Sequence, residues 1–129
     1  MESLFTGLFR RSIDGKNRVL VPSEVREGLE GDDRRGLFFV PSDECVSLWP
    51  RSYLLRYAQE QGSDPFGNQD FNRSFFSQSI FRLFDGTGRI VLPPSLVPRF
   101  PERELMFVGA GLYLEAWSPA AWEKAQGTG

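Results

Sequence analysis

Two stretches decide the fold: "IDGKNRVLVPSE" at residues 13–24 and "FDGTGRIVLPPS" at residues 84–95. Each opens on Asp-Gly, bends, and leaves through Arg18 or Arg89 into a short apolar run ended by Pro22 or Pro93. Asp accepts hydrogen bonds from N–H groups two residues on, and Gly supplies positive φ, so each phrase reads as a tight turn. The expected turn-fixing residues are Asp14 and Gly15 in the first phrase, and Asp85, Gly86 and Gly88 in the second. Pro cannot donate to a ladder, so it stops each exit strand.

The match extends outward. At a shift of 71 positions Phe5 falls on Phe76, Arg11 on Arg82, Asp14 on Asp85 and Arg18 on Arg89. After a three-residue shortening, "LFFV" (37–40) meets "LMFV" (105–108), and Trp49 meets Trp117. Internal repeats of this kind define the architecture. The sequence therefore reads as two copies of one unit, residues 1–62 and 68–127, interlocking as one globular body. A four-strand unit of this size buries too little apolar surface alone, so the copies are expected to share a core as a pseudo-twofold pair. Open edge strands would invite pairing between chains.

Each unit reads as mainly β with short helices. Phe-rich runs at 4–13 and 76–84 enter the turns, and 18–21 and 89–92 leave them as strands. "SEVREGL" (23–29) is expected to be a short helix with Ser23 as N-cap. "PSLVPRF" is limited to about one turn by Pro98. Strands 37–40 with 46–49, and 105–108 with 112–117, follow, the second pair joined by Gly109-Ala110-Gly111. Helices are expected at 50–62, stopped by Gly62, at 68–78, capped by Asn68, and at 118–125, with Ser118 as N-cap and Pro119 first. "GSDPFG" (62–67) reads as the linker.

Composition narrows the function. The chain has 129 residues and no His, which removes His metal sites and the commonest general acid–base and nucleophile-activating group. Cys45 is alone, so an intrachain disulfide is excluded, as is a Cys-built zinc site without help from other chains. No cofactor and no enzyme activity are expected. No apolar run approaches the roughly 18 residues of a membrane span, and the N-terminus lacks a signal-peptide core. The protein is expected to be cytoplasmic and off the membrane. The net charge of −2 is unevenly spread. Residues 1–22 carry four cations against two acids and residues 75–93 two against one, whereas 23–74 and 94–129 are net acidic. The two positive segments are the two that contain the turns.

An Arg four residues after a turn Asp can simply pair with it. Under a twofold, however, two such Args share one face, where Arg can fork onto guanine or clamp a phosphate. Lys16, Arg10 and Arg11 would add phosphate contacts, with Arg82 at the place equivalent to Arg11. Trp49, Trp117 and Trp122 are expected in packing rather than on bases, and Phe71, Phe75, Phe76, Phe81 and Phe84 in core or subunit contacts. Arg34 and Arg35 are offset by Asp32 and Asp33, which suggests a solvated loop.

The doubled D-x-x-x-R motif, carried by "FTGLFRRSIDGKNRVLVPSEVR" and "FDGTGRIVLPPSL", with "LMFVGAGLYLEAWSPAAWEKA" after the second, resembles the MraZ family of bacterial transcriptional regulators. The likeness covers nearly the whole chain. It implies two tandem AbrB-like swapped-hairpin halves forming an intrachain pseudo-dimer, a ring-like homo-oligomer, and a nucleoid-associated protein. It also implies binding to short repeats of double-stranded promoter DNA ahead of division and cell-wall genes. By match to the motif, Arg18 and Arg89 would touch DNA, with Lys16 close by, while Asp14 and Asp85 fix the turns. The first copy has Asn17 where the family pattern has Gly, and the second has Thr87 where the first has Lys16. The rival reading is a ring-forming structural or protein-interaction module with little DNA affinity.

Overall fold

The structure is a computed structural model that describes residues 4–61 and 69–127. It is mainly antiparallel sheet with short helices. The strands are β1 (Leu8–Ser12), β2 (Arg18–Leu20), β3 (Gly36–Pro41), β4 (Val46–Trp49), β5 (Ile80–Leu83), β6 (Arg89–Val91), β7 (Glu104–Gly109) and β8 (Leu114–Trp117). Helices are α1 (Ser23–Glu27), α2 (Arg51–Gln61), α3 (Gln69–Ser77) and α4 (Pro119–Ala125), with 3-10 turns at Gly31–Arg35 and Pro94–Arg99. The expected stop at Gly62, the linker and the cap at Asn68 lie outside the described residues.

Six strands form one sheet in the order β1-β7-β8-β4-β3-β5, and β2 pairs with β6 as a separate two-stranded ribbon. The first strand of the chain thus pairs with the second half (Arg11 opposite Leu105), while β5 pairs back with the first (Arg82 opposite Leu37). Exchanging each strand for its counterpart 71 or 68 positions away turns this order into its own reversal. Each edge strand runs through one Asp-Gly turn into the ribbon, which therefore bridges the two edges of the sheet.

Alternation decides what is buried. Val19 and Ile90, directly opposite each other in the ribbon, point inward, as do Val21 and Leu92 beyond it. They meet Leu37, Phe39, Val46, Leu48, Leu105, Phe107 and Leu114 from the sheet in one core, closed by Val25, Leu29, Leu96 and Phe100. β4 is buried on both faces. Its second face carries Trp49 under α2 and α3, where Trp49 lies 4.7 Å from Tyr53, 5.3 Å from Tyr57 and 5.6 Å from Phe75, ring centre to ring centre. Tilted and edge-on aromatic contacts of this kind suit the ring quadrupole. Trp117 is buried against Trp122 at 5.5 Å, so the tryptophans serve packing.

Four local expectations are corrected. Ser23 does not cap α1: Pro22 holds the N-cap position, and the Ser23 hydroxyl is bonded to Glu24 instead. A Pro N-cap with φ −52° already enters the helix with its chain direction set. The stretch 31–35 is a 3-10 turn, exposed at Asp32, Arg34 and Arg35 as expected, but Asp33 is buried and accepts from the Ser52 N–H at 2.9 Å and from the Ser52 hydroxyl. It supplies the N-terminal cap of α2 from 19 residues upstream. Gly109 belongs to β7, and the bend runs over 110–113, closed by Ala110 N–H to the Tyr113 carbonyl at 3.0 Å. Gly111, at φ 89°, is drawn into a bridge with Phe5. Phe76 ends inside α3 rather than in the strand that follows it. Ser118 caps α4 as expected, accepting from Ala121 N–H at 3.2 Å, with Pro119 first in the helix.

Candidate nucleic-acid interface

The two Asp-Gly turns share one backbone design. Asp14 N–H donates to the Arg18 carbonyl at 2.9 Å, and Asn17 N–H to the Asp14 carbonyl at 3.0 Å. The matching bonds in the second turn are Asp85 to Arg89 at 2.8 Å and Gly88 to Asp85 at 3.1 Å. This is a three-residue hairpin loop whose last residue is left-handed. That residue is Asn17 at φ 61° in one copy and Gly88 at φ 85° in the other. Gly15 and Gly86 are not in the left-handed region, so the expectation that they supply positive φ is corrected. Asn tolerates this region better than other side chains, and here its Oδ1 also accepts from Arg103 Nη1 at 2.8 Å.

The carboxylates complete the turns. Asp14 Oδ1 accepts from Lys16 N–H at 2.9 Å and Arg18 N–H at 2.8 Å, and Asp85 Oδ1 accepts from Thr87 N–H at 2.8 Å and Arg89 N–H at 3.0 Å. Both acids are held below their ordinary pKa. For Asp14 the leading cause is the Arg18 backbone N–H, and Asp85 is brought to about 2, first by the Thr87 hydroxyl. A smaller pull on Asp85 comes from Arg18, which places the first turn's cation within electrostatic reach of the second turn.

The ribbon holds the turns side by side. Arg18 lies opposite Val91 and Leu20 opposite Arg89, so all four share the outward face, with the buried pair Val19 and Ile90 on the other. Arg18 and Arg89 are diagonal neighbours on that face, a relation that spans roughly 7–8 Å in an antiparallel pair. The bonds Val21 N–H to the Gly88 carbonyl (3.2 Å) and Leu92 N–H to the Asn17 carbonyl (2.8 Å) lock each exit strand onto the other turn.

The remaining cations are set apart from this pair. Lys16 stands exposed at the tip of the first turn. Arg10, on β1, is held by Glu104 at 2.8 Å. Arg11 lies on the half-buried face of β1, its guanidinium 5.6 Å from the Phe9 ring centre. Arg82 occupies the equivalent place on β5, at the opposite edge of the sheet, with Nη1 on the Phe81 carbonyl at 3.2 Å. Cys45 is buried, and burial together with Glu115 pushes its thiol up to about 12, so it is no nucleophile at neutral pH. Among the described residues no cluster of His, Cys, Asp and Glu suits a metal ion, and no helix is long and apolar enough to cross a membrane.

Known proteins resemble this sequence over nearly its whole length. A curated protein of Thermomicrobium roseum named Transcriptional regulator MraZ is 34% identical, over 92% of this chain and 84% of its own. Others of that name are 34% identical in Desulforamulus reducens (94% and 86% covered) and 30% in Rickettsia felis (95% and 86%). The family model described as "MraZ protein, putative antitoxin-like" matches residues 75–128. The chain belongs to the MraZ family. These MraZ relatives are named for regulating transcription rather than for a catalytic activity.

Two residues at the turns escaped the sequence reading. Arg103 donates from Nη1 to Asn17, from Nη2 to the Asp14 carbonyl, and accepts from Ile13 N–H at its own carbonyl at 2.8 Å. Its place in the repeat offered a signal. Arg35 lies 68 positions earlier, and its carbonyl accepts from Phe84 N–H at 2.9 Å in the same way. Arg26 of α1 lies over Gly88 and donates from Nε to the Val21 carbonyl at 3.0 Å. Nothing in the spacing of a five-residue helix announces that contact.

Proposed function

We propose that this protein regulates transcription by binding double-stranded DNA through the outer face of the β2–β6 ribbon. On this reading it engages short promoter repeats ahead of division and cell-wall genes, as a ring-like homo-oligomer associated with the nucleoid. The observation that carries the proposal is the juxtaposition of Arg18 and Arg89 on one exposed two-stranded ribbon. A two-stranded ribbon is narrow enough for the major groove, where arginine forks read base edges. Lys16 at the turn tip is placed for a phosphate, while Arg10, Arg11 and Arg82 on the sheet edges would add long-range attraction or further phosphate contacts.

The self-reversing strand order supports a second part of the proposal, that residues 1–62 and 68–127 are two copies of one AbrB-like swapped hairpin, interlocked as a pseudo-dimer. One ribbon per chain offers few contacts, so affinity would come from several subunits meeting successive repeats. Exposed Leu8 and Leu83 on the two edge strands are suited to contacts between subunits.

The test is a gel shift of the upstream promoter fragment over a salt series, beside light scattering. Binding should fall steeply with salt as counterions are released, and Arg18→Ala with Arg89→Ala should abolish the shift at unchanged assembly size. The Asp14–Arg18 ion pair and the acidic total favour the rival, a ring-forming interaction module with little DNA affinity. A large assembly with no shifted band at moderate salt would establish that rival instead.

A further inference from the structure

Arg18 and Arg89 occupy matching positions, yet their guanidinium groups are held differently. Arg18 Nε donates to Asp14 Oδ2 at 2.8 Å, while Asp14 Oδ1 is tied down by two N–H groups of the turn. The carboxylate therefore grips Arg18 along its Nε side. Among the described residues the two terminal nitrogens of Arg18 make no hydrogen bond, so the outer fork stays open. Arg89 has no such buttress. Its Nη1 donates to Thr87 Oγ1 at 2.9 Å, and that hydroxyl donates to Asp85 Oδ1 at 2.7 Å. Thr87, standing where the first turn has Lys16, thus links the Arg89 guanidinium to the Asp85 carboxylate in place of a direct ion pair.

The geometry points to a division of labour between the two turns: Arg18 reads a guanine in the major groove, Asp14 is its positioning residue, and Arg89 clamps a phosphate. This rests on the DNA-binding reading above. Forking onto the O6 and N7 of guanine needs both terminal nitrogens in one plane and one direction, which a carboxylate behind Nε enforces. A phosphate contact tolerates a loosely held arginine and carries no sequence information. Charge points the same way. Arg18 is ion-paired directly with Asp14, whereas the Arg89 guanidinium reaches Asp85 only through the Thr87 hydroxyl, so Arg89 contributes the larger share of counterion release.

The experiment uses the full chain and a pool of short duplexes of randomised sequence, selected in vitro, with the best duplex then titrated against single-base replacements. Wild type should prefer guanine at one position by on the order of ten- to a hundredfold. Arg18→Ala, which leaves no donor for guanine, and Asp14→Asn should erase that preference while duplexes are still retained. Asn keeps the oxygen that accepts from the turn N–H groups, so Asp14→Asn removes the buttress and spares the bend. Placing 7-deazaguanine, which lacks N7, at that position should weaken wild type and leave Asp14→Asn unmoved. Arg89→Gln should keep the preference and lower the slope of log affinity on log salt by about one. Guanine preference that survives in Arg18→Ala, or disappears in Arg89→Gln alone, overturns the division of labour and leaves DNA binding standing. A wild-type protein that retains no duplex overturns both readings together.

Discussion

Arg103 clamps Asn17: its Nη1 donates to the Asn17 Oδ1 at 2.8 Å, although 86 residues separate them. Asn17 is left-handed at φ 61°, and the clamp rewards the side chain for being there. The second Arg103 nitrogen holds the Asp14 carbonyl of the same turn. Removing both bonds should cost about 1–3 kcal/mol. Arg103 itself sits at φ 61°, so Arg103→Gly adds no backbone strain, and relief at the left-handed position offsets part of the loss. Asn17→Gly should cost less, because a relaxed left-handed residue offsets the single lost bond. Urea midpoints of the two single variants and the double variant check this. Purely additive losses would mean that the two residues do not act through each other.

The turns were legible because their chemistry is local: Asp, a left-handed residue and Arg all lie within five positions, whereas the pairing of β2 with β6 emerges only from the structure. The aromatic layer under α2 and α3 was legible for a similar reason, since Tyr53, Tyr57, Phe71 and Phe75 fall at helical spacing. What escaped is long-range and polar. Arg10 reads as a free cation until β1 is laid beside β7, which brings Glu104 to it. Asp33 reads as surface charge until α2 turns its first N–H groups toward it. A single side chain choosing a partner dozens of residues away leaves no periodicity to detect.

Gly88 and Gly86 should respond oppositely to Ala. A Cβ on Gly88 would lie 2.3 Å from Arg26 Cζ, on a backbone at φ 85°. Gly88→Ala therefore combines left-handed strain of about 1–2 kcal/mol with displacement of Arg26 from the Val21 carbonyl. Gly88→Asn should be milder, since Asn17 fills the equivalent position. A Cβ on Gly86 meets nothing within 4 Å and its φ is not left-handed, so Gly86→Ala should stay within about 0.5 kcal/mol of wild type. Thermal melts of the three variants provide the check, and equal losses at the two glycines would contradict the turn geometry.

Asp33→Ala should loosen α2. The carboxylate caps the helix through Ser52 and is itself buried, so its loss should cost about 1–2 kcal/mol, in the range of helix N-caps. Because α2 carries Tyr53 and Tyr57 onto Trp49, the near-ultraviolet circular dichroism of the aromatic layer should weaken with it. A fully retained aromatic signal at wild-type stability would show that the cap is dispensable.

Acid should weaken the turns in a defined window. Asp85 titrates at about 2 in the folded chain and near 4 when unfolded, and Asp14 is shifted in the same direction. For a depressed carboxylate the stabilisation is complete above the unfolded pKa and is lost as pH falls through the folded one. Stability should therefore hold steady from neutral pH down to about 5 and decline between about 4 and 2. Asp85→Asn cannot titrate, so that variant should start less stable at pH 7 and lose less on acidification. Glu104, lowered chiefly by its hydrogen bond to Arg10, contributes to the same decline, which makes the difference between wild type and Asp85→Asn the informative quantity. Urea denaturation at several pH values measures it, and parallel acid limbs for the two proteins would place the Asp85 carboxylate outside the groups that stabilise the fold.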